Sequence, residues 1–71
     1  MILVTGATGY TGGFLAARLL AEVEEEVRFF VRPSSDRSRL PPGPAEICTG
    51  DLARPREGAA ACRGARRIVH L

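Results

Sequence analysis

Three glycines, Gly6, Gly9 and Gly12, stand three residues apart between a short apolar run and an amphipathic segment. Few folds use that arrangement. Ile2-Leu3-Val4 is continuously apolar and ends at Thr5-Gly6, as expected of a strand buried on both faces of a parallel sheet. From about Thr11 to Glu22 the pattern is helical, with Leu15, Leu19 and Val23 four apart and Ala16 and Leu20 beside them forming one apolar stripe. A strand that passes into a helix through Thr5-Gly6-Ala7-Thr8-Gly9-Tyr10-Thr11-Gly12 has a physical use for each glycine. Gly6 lets the chain turn sharply, Gly9 carries no side chain to block an approaching diphosphate, and Gly12 lets the helix pack tightly. Unpaired amides at the helix start face the anion, and the helix dipole favours negative charge there. The turn is therefore expected to cradle a pyrophosphate, with Tyr10 contributing its backbone N–H more than its ring.

The remaining sequence alternates strand and helix. Glu24-Glu25-Glu26 reads as a solvated helix end, since carboxylates are unfavourable at a helix C-terminus. Val27 to Val31 reads as a second strand stopped by Pro33. Residues 33–45 read as a loop with a helical turn around Ser35–Leu40. Glu46-Ile47-Cys48 is a short third strand, Pro55 opens a second helix running to about Cys62, and Gly64 suits its C-terminal cap. Arg67-Ile68-Val69-His70-Leu71 opens a fourth strand. The order β-α-β-loop-β-α-β implies an α/β fold with a parallel sheet and right-handed crossovers.

Composition narrows the function classes. A net charge of +2 is too weak to argue for nucleic acid. All ten basic residues are Arg and none is Lys, so a phosphate-binding loop of the Gly-Lys-Ser/Thr type is excluded. Cys48 and Cys62 lie fourteen positions apart with no clustered His; they read as two reduced, largely buried thiols rather than metal ligands. The first apolar run is too short for a signal peptide or a membrane span, and a cytoplasmic location is expected. At this length only about 60% of the unfolded chain's surface can be buried, so stability is marginal.

The G-x-x-G-x-x-G spacing of Gly6, Gly9 and Gly12 resembles the opening of the short-chain dehydrogenase/reductase superfamily. The likeness is greatest to its extended and atypical branches, which include sugar-nucleotide epimerases and dehydratases, dihydroflavonol-reductase-like enzymes and NmrA-like proteins. Gly50-Asp51-Leu52 is similar to that family's G-D-L after the third strand, and Ile68-Val69-His70-Leu71 to its fourth strand. The resemblance implies a partial Rossmann fold, a sheet of about four strands in the order 3-2-1-4 with helices packed on it. Residues 1–71 would then be the N-terminal portion of an NAD(P)-binding domain, truncated before the remaining strands. It also implies cofactor contacts from Gly6, Thr8, Gly9, Tyr10, Thr11 and Gly12. The Asp51 side chain would meet the adenine amino group, the Leu52 backbone the adenine ring, and Leu71 would lie at the cofactor cleft. Asp51 also has a purely local reading, as a turn residue that caps its own backbone.

The end of the second strand bears on cofactor choice. Rossmann proteins that prefer NAD carry Asp or Glu there for the ribose 2′-hydroxyl. This chain has Val31-Arg32-Pro33-Ser34-Ser35, with Arg37 nearby. A guanidinium can bind a 2′-phosphate in a bidentate fork, where a carboxylate would repel it. NADP(H) is therefore expected over NAD, with Arg32 and Arg37 as its phosphate contacts. His70 reads as a packed or cleft-lining imidazole rather than a catalyst.

The superfamily's proton transfer uses a Tyr with a Lys four positions on. Tyr10 is the sole Tyr, it lies in the glycine turn, and Lys is absent, so no catalytic residue is assigned. Two further departures are the missing Gly after the first helix and Arg54 where an Asp N-cap is common. The expected function is dinucleotide binding as part of an epimerase, dehydratase or reductase, with a small-molecule substrate bound only by a longer protein. The alternatives are an NmrA-like module that senses NAD(P) without turning it over, and a fragment without independent function.

Overall fold

A computed structural model describes residues 1–71. Its elements run β1 (Ile2–Thr5), α1 (Tyr10–Glu22), β2 (Val27–Val31), a 3₁₀ turn (Arg37–Arg39), β3 (Glu46–Thr49), α2 (Pro55–Ala61) and β4 (Arg67–His70). The four strands form one sheet in the order β3-β2-β1-β4, and every pairing is parallel. The expected α/β architecture and strand order are thus the observed ones.

Strand alternation divides the core between two faces. Ile2 and Val4 of β1 share one face with Val27, Phe29 and Val31 of β2, and α1 covers them through Ala16 and the flanking Leu19, Leu20 and Val23. Leu3 of β1 and Phe30 of β2 face the other way, against Ala61 of α2. This is why Ile2, Leu3 and Val4 are all buried and why their run shows no polar alternation. β3 and β4 are the sheet's edges and stay largely exposed, Ile68 to 59%.

The stripe on α1 differs from its expected position. Gly12 and Ala16 are its buried residues, whereas Leu15 is 50% exposed. At 100° per residue, Leu15 lies a little under a right angle from the centre of the line through 12, 16, 19 and 23. The acidic run is also not wholly solvated. The Glu25 carboxylate bridges the Met1 ammonium and Arg67, each at 3.5 Å, across the N-terminal end of the sheet. The thiols need a second correction. Both are free, but Cys48 is only half-buried and Cys62 is exposed, because the buried position of α2 is Ala61 and Cys62 lies one residue beyond it. α2 starts without a side-chain cap at Arg54. Gly64, at φ +79°, closes the turn in which the Ala65 amide donates to Cys62 O at 2.9 Å. No helix is long and apolar enough to cross a membrane.

One side chain ties the layers together. Arg28 of β2 donates from Nη1 to the carbonyls of Ala61 and Arg63, at 2.7 and 2.8 Å, and from Nε to Glu46 of β3 at 2.9 Å. A cation on the terminal carbonyls of a helix satisfies groups that have no acceptor role left inside the helix. Nothing in the sequence pattern singled out Arg28, since the carbonyls it meets are more than thirty residues away.

Candidate functional site

The C-terminal ends of all four strands open into one cavity of about 560 Å³. In open α/β sheets ligands sit outside the strands' carboxyl ends, where the strand order reverses. Here that reversal falls between β1 and β4. From the end of β1 the cavity is lined by Thr5, Gly6, Thr8 and Gly9. The end of β2 adds Phe30, Val31, Arg32, Ser34 and Ser35. Asp51 and Leu52 follow β3, and His70 and Leu71 end β4.

The three glycines serve different purposes. Gly6 has φ +82°, and a Cβ there would collide with the carbonyl of Leu71. A Cβ on Gly12 would run into the carbonyl of Gly6 and come within 2.9 Å of its carbon, so this glycine lets α1 lie directly on the turn. Gly9 is different. Its φ is an ordinary −74°, and a Cβ would meet only Gly6 O, at 3.4 Å. No protein atom requires glycine at position 9; the space it leaves belongs to the cavity.

Gly9 is the N-cap of α1, and no side chain caps the helix. The first turn contains no acidic residue. The intrahelical pattern begins with the Gly13 amide on Gly9 O at 2.9 Å, which leaves the amides of Tyr10, Thr11 and Gly12 without a backbone acceptor. An uncapped helix start with no carboxylate presents partial positive charge toward the turn.

The predicted site residues fall into two groups. Gly6, Thr8, Gly9, Arg32, Asp51, Leu52 and Leu71 line the cavity. Tyr10, Thr11, Gly12 and Arg37 do not. The Tyr10 ring is 77% exposed and stacks edge-on against Phe14, at 5.5 Å between centroids. Thr11 is exposed, Gly12 lies beneath the turn, and Arg37 sits in the 3₁₀ turn with its side chain in solvent. Leu71 contributes backbone, its side chain packing into the α1-side core.

Asp51 combines both of its readings. Its Oδ1 accepts from the Ala53 amide at 2.9 Å, an Asx turn, while the residue still lines the cavity. Its own amide donates to Glu57 Oε1 at 3.2 Å, which anchors the turn to the first turn of α2. The Leu52 amide is left without an acceptor.

Several lining residues were not expected. The Ser35 amide donates to Arg32 O at 3.0 Å, closing a turn with Pro33 in its second position. That turn brings both serines up beside Arg32; the sequence signal was the Arg-Pro-Ser-Ser run itself. Thr5 and Phe30 stand beside each other in the sheet register, and His70 pairs with Thr5 on the other side. Of the two placements expected for it, His70 takes the cleft-lining one and is exposed rather than packed.

Comparison with known proteins agrees with this geometry. A family model described as NAD(P)H-binding matches residues 6–71. Sterol demethylase protein B of Methylococcus capsulatus (strain Bath) is 43% identical over 68 residues, covering 96% of this chain and 20% of that protein. The crystal structure of gox2253 superposes with a TM-score of 0.86 at 42% identity, over 100% of this chain and 21% of that one. A short-chain dehydrogenase/reductase from Veillonella parvula DSM 2008 shares the fold, with a TM-score of 0.76 at 22% identity over 97% of this chain and 33% of that one. The chain thus spans about a fifth of the length of the curated relative it matches.

Proposed function

Since the chain belongs to the NAD(P)H-binding family and so binds a nicotinamide dinucleotide, we propose that it does so at the glycine turn, as a Rossmann domain of the short-chain dehydrogenase/reductase type, with NADP(H) preferred. The observation that carries this reading is Gly9. It is the one glycine of the three that backbone packing leaves unexplained, and it lies beside free helix amides at the floor of the cavity. The diphosphate rests there, accepting from the amides that open α1. Tyr10, Thr11 and Gly12 act through those N–H groups, which is why their side chains need not line the cavity.

The adenosine half extends toward β2 and β3. Asp51 has one carboxylate oxygen committed to Ala53 and the other left for the adenine amino group, and the Leu52 amide meets the ring. Arg32, Ser34 and Ser35 gather at the end of β2 with no carboxylate in their turn, a set of donors suited to a 2′-phosphate. Arg37 acts only as a more distant positive charge.

Residues 1–71 serve as the N-terminal, cofactor-binding portion of a larger oxidoreductase or epimerase of the extended type. The exposed surface supports this. At 4945 Å² it exceeds the roughly 4,300 Å² expected of a folded monomer of 7.6 kDa. Phe14, Leu15 and Ile68 contribute to the excess. The relative named for sterol demethylation favours an oxidoreductase over an epimerase, with a sterol or similarly apolar substrate for the whole protein. Hydride transfer would be the cofactor's chemistry; these residues bind and orient it.

Titration with NADPH and NADH tests the reading. Arg32→Ala should weaken NADPH binding roughly ten- to hundredfold, the worth of a charge-assisted hydrogen bond, and leave NADH nearly unchanged. Equal loss for both cofactors, or tighter binding of NADH by the parent chain, would refute the NADP preference.

A further inference from the structure

Thr5 is the sole polar side chain in the buried core, 5% exposed at the last position of β1. A buried hydroxyl needs a partner, and its partner is Nδ1 of His70. The two residues are direct neighbours in the parallel β1–β4 register, so their side chains leave the sheet on the same face. Phe30 stands beside Thr5 in the next strand. Phe30, Thr5 and His70 therefore form one row across the sheet, and all three line the cavity.

The Thr5 contact ties down one of the two ring nitrogens. Nδ1 is the one partner of the Thr5 hydroxyl, as acceptor of its proton or as donor to its oxygen. Either way Nε2 is the ring nitrogen left for a ligand. The His70 side chain makes no other hydrogen bond, and the residue is exposed at the cavity. The row thus ends in a ring nitrogen whose direction is held by a buried residue.

Position decides what that nitrogen meets. Arg32 and Asp51 stand on the β2 and β3 side of the glycine turn, and His70 and Leu71 on its β4 side. With the diphosphate over Gly9 and adenosine toward Arg32, the second nucleoside must leave in the opposite direction, over β4. Resting on the dinucleotide reading above, we propose that His70 is a binding residue for the nicotinamide-bearing half of the cofactor. Its Nε2 hydrogen-bonds a polar group of that half, and Thr5 is the positioning residue that holds its ring.

The test compares two probes on the full chain: NADPH, and adenosine 2′,5′-bisphosphate, which carries the adenosine half alone. His70→Phe should weaken NADPH binding roughly three- to tenfold, the range of one neutral hydrogen bond, and leave the bisphosphate unchanged. Thr5→Val, which keeps the shape and removes the hydroxyl, should reproduce that selective loss; Thr5→Ser should restore parent affinity. His70→Asn keeps a polar group at the position and covers the case in which His70→Phe fails to fold. Equal weakening toward both probes, or no weakening toward either, overturns the assignment and leaves Thr5 and His70 as a structural pair. Failure of the parent chain to bind either probe overturns the dinucleotide reading itself, and this one with it.

Discussion

Alanine at position 12 and alanine at position 13 should move stability in opposite directions, although the two residues are neighbours in one helix. Helix propensity alone favours both changes, because glycine inside a helix costs about 0.5–1 kcal/mol relative to alanine. Packing separates them. A Cβ at Gly13 meets Ala7 O at 3.6 Å and Arg39 O at 3.7 Å, ordinary van der Waals contacts. Gly13→Ala should therefore gain up to about 1 kcal/mol. A Cβ at Gly12 lands on the Gly6 carbonyl. Gly6 has no easy retreat, since its φ of +82° sets the turn and the Leu71 carbonyl fills the space beside its Cα. The helix must lift away, with an overpacking cost of 1–3 kcal/mol. Taking about 3 for a backbone–backbone collision and subtracting about 1 for propensity leaves Gly12→Ala near 2 kcal/mol less stable. The two variants should differ by roughly 3 kcal/mol, or about 12–24 °C in Tm for a chain of this size. Thermal unfolding followed by far-ultraviolet circular dichroism measures the gap. NADPH titration adds a second readout, because lifting α1 also withdraws its amides from the turn. If Gly12→Ala matched or exceeded the parent in stability, the close seating of α1 on the Gly6 carbonyl would be wrong, and with it the reason given for the third glycine.

Arg28→Met should lower stability by about 1–3 kcal/mol, because it leaves the part-buried carbonyl of Ala61 without its charged donor while the exposed carbonyl of Arg63 turns to water, and it keeps most of the side chain's apolar volume. Arg28→Lys should recover only part of the loss, since one ammonium cannot reproduce the guanidinium's spread of donors; urea midpoints for the three chains decide it. Asp36 supplies a pH test. Its carboxyl accepts from the Ser38 hydroxyl first and the Ser38 amide second, and these hold it below its ordinary value of 3.8. A carboxyl with a lowered folded pKa supports the 3₁₀ turn at pH above 3.8, and that support is lost as pH falls through the folded value. Ser38→Ala should move the Asp36 titration upward toward 3.8 in a carbon-detected NMR series, and an unmoved midpoint would contradict the hydrogen bonds as its cause.

Reading the sequence located the strands, both helices and the cradle because those features are governed by neighbours in the chain. The unbroken apolar run of Ile2-Leu3-Val4, the helical repeat ending at Glu22 and the halt at Pro33 are local signals of backbone preference and burial. The glycine spacing and the later Gly50-Asp51-Leu52 carried the strand order through resemblance to a family. Errors arose where a residue's fate depends on distant partners. Leu15 looked like core until the angle at which α1 seats on the sheet turned it outward. Cys62 looked buried until α2 ended one residue before it.

The candidate site divides the same way. Gly6, Gly9, Gly12, Arg32 and Asp51 could be named from local pattern and a family likeness. That Gly12 answers to the Gly6 carbonyl while Gly9 answers to empty space was decided only by the folded backbone. Arg28 and the Thr5–His70 pair were invisible for one reason. Their partners lie from 18 to 65 residues away along the chain and meet only through parallel strand register and the packing of α2. Local sequence determines which elements form and where a turn must carry no side chain. The pairing of β1 with β4 determines which polar groups then face one another, because hydrogen-bond partners are chosen by distance in space.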